Sequence, residues 1–145
     1  MELPENITGY NATRLSFSDF QQFCFNLQGL GILNVLELFD CEYPQNYYSA
    51  MVSDGDGEFY ILQNCFVPLS ACALKDGEGF IFFDKPRIES AASHLCEVRQ
   101  FLSRSELTTD IRPDHLKQLG NYEQKEVSFW LPDNFGGIIF SWYFD

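Results

Sequence analysis

Three short runs of Asp, Asn and Gly, each leading into aromatic and β-branched residues, constrain this chain more than any other feature. Ser53-Asp-Gly-Asp-Gly-Glu feeds Phe59 to Leu62, Lys75-Asp-Gly-Glu-Gly feeds Phe80 to Phe83, and Asp133-Asn-Phe-Gly-Gly feeds Ile138 onward. Asp, Asn and Gly supply the positive-φ positions that tight hairpin turns need. The residues that follow suit a pleated, half-covered surface. The recurrence predicts a meandering antiparallel sheet. The last of the three carries the most weight. Glu126 to Asp145 holds both tryptophans and reads as two strands around a glycine-containing turn. The second run, Ile138 to Phe144, is aromatic and β-branched almost throughout, so it must be covered, and the rest of the chain is expected to pack over it.

Helical spacing appears between these runs. Phe20, Phe23, Cys24 and Leu27 share one face of a helix that would start at Ser18 as N-cap and stop at Gly29 or Gly31. Ile32, Val35, Leu36 and Phe39 fit a second helix, although the short run would also suit a buried strand. Asp40 to Tyr48 reads as a loop broken by Pro44, and Val67 to Leu74 as one strand or helical turn. Pro86 opens a longer helix whose face is Ile88, Ala92, Leu95, Val98 and Leu102, ending near Ser103. Ser105 to Ile111 reads as loop and Pro113 to Gly120 as a short helix. No linker or composition break divides residues 1–145. The expectation is a single α+β domain, mainly an antiparallel sheet of about four to six strands with two to four helices packed on it.

Charge is the strongest bulk signal. The chain carries 21 acids against 9 bases, a net −12. Residues 1–58 contain nine acids and only Arg14 as a base. Such a field repels nucleic-acid phosphates and anionic membranes, whose binding depends on basic side chains. It attracts a basic protein and speeds the encounter. Neither direct nucleic-acid binding nor membrane association is therefore expected. No apolar run approaches the roughly 20 residues that cross a bilayer. The start Met-Glu-Leu-Pro-Glu lacks the basic and apolar regions of a secretory signal, so a cytoplasmic location is expected. Five cysteines at 24, 41, 65, 72 and 96 form no C-x-x-C pair and fit buried thiols in a reducing compartment.

Catalytic and cofactor signatures are missing from the sequence. Asp54-Gly-Asp56-Gly-Glu58 begins like a calcium loop, but the glutamate required twelve residues on is replaced by Cys65. His94 and Cys96 sit two apart on a predicted helix, hence on different faces, and no nucleophile signature accompanies His115. Neither a Walker loop nor G-x-G-x-x-G occurs. No cofactor or metal, and no enzymatic activity, is expected.

The end of the chain, Trp130-Leu-Pro132-Asp-Asn-Phe-Gly136-Gly-Ile138-Ile-Phe140-Ser-Trp142-Tyr-Phe-Asp145, resembles the C-terminus of small immunity proteins of bacterial contact-dependent inhibition and related polymorphic toxin systems. The shared pattern is Trp-x-Pro, an apolar residue before Gly, two β-branched residues, Phe, an aromatic pair and a terminal Asp. Gly137 and Ser141 depart from it, where a polar residue and Asn are expected. The resemblance implies a non-enzymatic cytoplasmic inhibitor that covers the basic groove of a cognate toxin domain, commonly a nuclease. Acids beside aromatics make the candidate contacts: Glu37, Asp40, Glu42, Tyr43, Tyr47, Tyr48, Asp54, Asp56 and Glu58. A nucleic-acid mimic directed at a DNA-binding protein, or an accessory interaction module, would use the same acidity. The aromatic excess leaves a homodimer open.

Overall fold

Strand pairing follows chain order. In the computed structural model, which describes residues 3–4, 7–9, 12–42, 44–77, 79–95, 99–130 and 132–141, β1 (Asn34–Phe39), β2 (Tyr47–Asp54), β3 (Gly57–Asn64), β4 (Leu69–Asp76) and β5 (Gly79–Phe83) form an antiparallel meander. A two-residue strand, β6 (Gln100–Phe101), adds to β4 in parallel. The first two glycine-led turns are hairpins as expected, joining Asp54 to Gly57 and Asp76 to Gly79 in register. Gly77 stands at φ 59°, the left-handed conformation that a side chain would resist.

Helices cover both faces of this α+β fold. On one side, α1 (Phe17–Gly29) and α2 (Pro86–Leu95) pack over Tyr48, Ala50, Val52, Phe59 and Ile61. The α1 face is the expected one, since Phe20, Phe23, Cys24 and Leu27 are its buried residues. Each large side chain taken fully out of water there contributes about 2–3 kcal/mol. The cap differs from expectation: Ser16, not Ser18, accepts the Asp19 N–H at 3.2 Å. The helix ends at a Schellman turn, with Ile32 N–H reaching Leu27 O at 3.1 Å and Gly31 at φ 74°.

The opposite face is covered by α3 (Arg104–Leu107), a 3-10 helix at Pro113–Leu116, α4 (Asn121–Trp130) and α5 (Phe135–Ile139), with Leu3 and Ile7 from the start of the chain. With α1 and α2 this makes five α-helices among the described residues, against two to four expected. Two buried asparagines hold this layer to the sheet. Asn46 donates to Ile7 O at 3.1 Å and Ile138 O at 2.8 Å, and accepts from Ser141 N–H at 2.7 Å. Asn64 donates to Ile7 O at 3.0 Å and Ile139 O at 2.7 Å, and accepts from Phe66 and Val67 N–H. Both are completely buried, so every bond is made away from competing water.

Several elements differ from the sequence reading. Ile32 to Phe39 does not form a helix: Asn34–Phe39 is an edge strand, bulged between Val35 and Glu37. The extra residue breaks the two-residue alternation and makes the apolar spacing look helical. Tyr47 and Tyr48, read as loop, begin β2. The Pro86 helix ends at Leu95, with β6 where its continuation was expected, and residues 96–98 lie outside the described set. Part of Ser105 to Ile111 belongs to α3, with Ser103 and Glu106 forming a capping box.

The C-terminal hairpin is the largest correction. Glu126 to Trp130 of its first expected strand lie in α4, Phe135 to Gly137 of its turn together with Ile138 and Ile139 form α5, and residues 131 and 142–145 lie outside the described set. Asn134 is a helix N-cap, accepting the Gly137 N–H at 3.1 Å, and not a turn residue. Gly136 is there for contact: a Cβ at this position would collide with the Phe82 ring. The expectation of a covered segment holds in part: Phe135, Ile138, Ile139 and Phe140 are core residues, whereas Phe129 and Trp130 on α4 are exposed.

Candidate binding surface

The acids singled out in the sequence do not form one patch. They fall at two ends of the sheet, because β2 runs between them with a rise of about 3.3 Å per residue, or roughly 23 Å in all. Asp40 and Glu42 follow β1 at the start of β2, while Asp54, Asp56 and Glu58 occupy the β2–β3 hairpin. Glu37 is exposed midway, on β1 opposite Met51. Tyr43 lies outside the described residues.

At the hairpin end, a cleft of about 440 Å³ has Phe59, Leu74 and Phe83 in its apolar lining and Asp56, Glu58 and Asp84 as its acids. Its one cation is Lys85, whose ammonium donates to Asp54 at 2.8 Å and Asp56 at 2.9 Å while lying 5.0 Å from the Phe59 ring centroid. The side chains of Lys85 and Asp54 are each 15% exposed, whereas Asp56 is 87% exposed. Asp54 also accepts the Asp56 N–H at 2.8 Å, an Asx-type turn that fixes the loop.

Burial by itself would raise the Asp54 carboxyl; the Lys85 ammonium and the N–H groups of Asp56 and Gly57 outweigh it and hold the group below its usual range. For Lys85, burial would lower the pKa, and the two carboxylates outweigh it in the upward direction. Asp54 and Lys85 therefore form a structural ion pair that clamps the hairpin to the start of α2. A second recess of about 310 Å³, lined by Asp54, Asp56, Lys85 and Arg87 among others, adjoins this clamp.

The remaining acids keep this end negative. Asp84 accepts the Arg104 N–H at 2.8 Å, and Asp76 is exposed at the tip of the neighbouring β4–β5 hairpin. The Glu89 carboxyl is pushed up by its burial and then by the charges of Asp84 and Glu106. Beside the acids stand two apolar side chains, Leu74 at 45% and Ile81 at 51% exposure, paired across β4 and β5. Carboxylates around exposed aliphatic groups can receive a cationic surface and bury an apolar anchor at its centre.

The other end is built differently. A cleft of about 350 Å³ is lined by Asp40, Glu42, Tyr47, Tyr60, Lys75 and Phe80 among others. Asp40 is ion-paired with Arg14, and the Lys75 ammonium lies 5.2 Å from the Phe80 ring centroid. Tyr47 and Tyr48 are not the exposed contacts that the sequence offered as candidates. Tyr47 is 3% exposed, and burial followed by the nearby Cys41 and Cys65 pushes its hydroxyl up to about 12. Tyr48 is 1% exposed, stacks between Phe17 and Phe20, and donates to Leu15 O at 2.6 Å.

Neither histidine lines any of these three clefts. His94 is exposed on α2. His115 is buried against the Phe135 ring and accepts the Arg112 N–H at Nδ1, a capping role. Among the described residues, no group of three or more His, Cys, Asp or Glu side chains is arranged to hold a metal ion, and no helix is long and apolar enough to cross a membrane. Sequence reasoning missed Asp84, Lys85, Leu74 and Ile81 as members of the hairpin surface. No local pattern links residue 85 to residues 54 and 56, so that contact carries no sequence signal. No family model, curated protein or solved structure matches the chain.

Proposed function

We propose that this chain is a non-enzymatic acidic binding protein, an immunity protein that neutralises a cognate bacterial toxin domain by occupying its basic active-site groove. The observation that carries the proposal is the hairpin-end cleft, where Asp56, Glu58 and Asp84 stand beside apolar side chains and the only cation among its described lining residues, Lys85, is already engaged by two carboxylates. A nuclease groove supplies the complement, because a site that binds phosphodiesters must be basic. The resemblance of residues 130–145 to immunity proteins points the same way. A cytoplasmic location accords with that role and with the free thiols of Cys24, Cys41, Cys65 and Cys72. Acids gathered beside aliphatic anchors favour this reading over a nucleic-acid mimic, whose carboxylates should follow an elongated face at regular spacing.

The direct test compares wild-type protein with the E58K/D84K double variant as affinity baits in lysate from the native cells, at low and at high salt. A stoichiometric basic partner held by wild type at low salt, and lost with the double variant, supports the proposal. Equal capture by both baits refutes the assignment of the surface. The absence of any stoichiometric partner refutes the binding function.

A further inference from the structure

We propose that Cys41 is an oxidant-sensitive thiol and Cys65 its resolving partner, so that the two close to a disulfide when the protein meets a peroxide. The inference is independent of what the acidic cleft binds.

Cys41 lies on the connection from β1 to β2, and Cys65 directly follows β3. Twenty-four residues separate them in sequence, but β-pairing brings them together. Tyr47 is in register with Asn64, and the next bond of that ladder runs from Cys65 N–H to Asn46 O at 2.8 Å. On the neighbouring residue, Gln45 O accepts from the Cys41 thiol at 2.9 Å. Both cysteines thus converge on residues 45–46, and Cys41 packs against the core cluster that contains Cys65.

The two positions divide the chemistry. Cys41 is half-buried, and thus within reach of a small oxidant, whereas Cys65 is completely buried. Interaction with Cys65 lowers the Cys41 pKa, burial opposes this, the Arg14 guanidinium assists and the Asp40 carboxylate opposes. Burial raises Cys65, and its contact with Cys41 raises it further. Arg14 is held beside Cys41 by Asp40, which also accepts the Cys41 N–H at 2.6 Å. A partly exposed thiol near a guanidinium, with a second cysteine adjoining, is the environment that makes cysteine reactive. Cys24 and Cys72 lack it: burial pushes Cys24 up to about 12 and moves Cys72 in the same direction.

In the first step the Cys41 thiolate attacks one peroxide oxygen. The O–O bond breaks, an S–O bond forms, and hydroxide leaves to take up a proton, giving a sulfenic acid and one water. In the second step Cys65 sulfur attacks the Cys41 sulfur. The S–O bond breaks, the S–S bond forms, and the departing hydroxide combines with the Cys65 proton as a second water. Two thiols and one hydrogen peroxide become one disulfide and two waters. The product ties the β1–β2 connection to the end of β3.

The test treats the folded protein with graded hydrogen peroxide, blocks remaining thiols, and maps all five cysteines by peptide mass spectrometry. Cys41 should be lost at least about tenfold faster than Cys24 or Cys72, with a Cys41–Cys65 linked peptide as the first product. In Cys65→Ala the linked peptide should vanish, and a Cys41 sulfenic acid should become trappable with dimedone. The wild-type map decides the matter even if that variant folds poorly. Cys41 consumed no faster than the buried thiols, a first link to Cys96 or between molecules, or a lasting unlinked sulfenic acid in the wild type would each overturn the proposal.

Discussion

The two ends of the sheet use polar groups in opposite ways. At the start of β2, Asn46, Asn64 and Tyr48 are buried with their hydrogen bonds satisfied, and the nearby Asp40 is ion-paired with Arg14. At the hairpin end, Asp56, Glu58 and Asp76 face solvent beside exposed Leu74 and Ile81. One end invests polarity in holding the chain together. The other leaves charge and apolar surface available to a partner. Acid count alone does not locate a binding surface. What matters is whether the acids are already neutralised and whether apolar groups stand among them.

The sharpest way to break this contrast is to unlatch the first end. Asn64→Ala removes four hydrogen bonds and leaves the carbonyls of Ile7 and Ile139 and the N–H groups of Phe66 and Val67 without that partner. The expected loss is about 3 kcal/mol or more, read by chemical denaturation, with a fall in Tm of roughly 10 °C.

At the hairpin end, Lys85→Met should cost less, about 2 kcal/mol, since it strands the mostly buried Asp54 carboxylate while keeping the apolar stem over Phe59. Its pH dependence follows from the direction of the two shifts. The depressed Asp54 contributes stability above its unfolded value near 4 and loses it as pH falls through the lower folded value. The raised Lys85 contributes fully below its unfolded value near 10.4 and loses that contribution as pH rises through the higher folded value. The stability gap between wild type and Lys85→Met should therefore be flat from about pH 5 to 9 and shrink towards acid and alkali, as denaturation at several pH values would reveal.

How much of this was legible follows from which contacts are local. The α1 face, the two glycine-led hairpins and the burial of Ile138 to Phe140 all rest on neighbouring residues, and sequence reasoning found them. The bulge in β1 turned a strand pattern into an apparent helical one. In the C-terminal segment, Asn134 and Gly136 imitate a turn, yet one caps a helix and the other lets α5 approach Phe82. Only the folded arrangement distinguishes those uses. Of the candidate site, the acids at 54, 56 and 58 were found, but their clamp by Lys85 and the apolar groups beside them depend on distant residues.

Two smaller effects sharpen the comparison between ends. The E58K/D84K reversal should slow association with a basic partner about tenfold at low salt, whereas D40K/E42K should change it by no more than about threefold. Stopped-flow or surface-based kinetics would read both, and the gap should close as salt rises. Arg14→Ala should alter stability by no more than about 0.5 kcal/mol, because the Arg14–Asp40 pair is roughly half exposed on both sides. A loss comparable to that of Lys85→Met would show that the two ion pairs are not as different as their burial implies.

The central claim, that the hairpin end is the partner surface, is tested most directly by the paired capture experiment with wild-type and E58K/D84K baits. The account predicts one stoichiometric basic protein on the wild-type bait at low salt, released at high salt and absent from the double variant. Retention of that protein by E58K/D84K, together with its loss from D40K/E42K, would contradict the account and move the surface to the other end of the sheet.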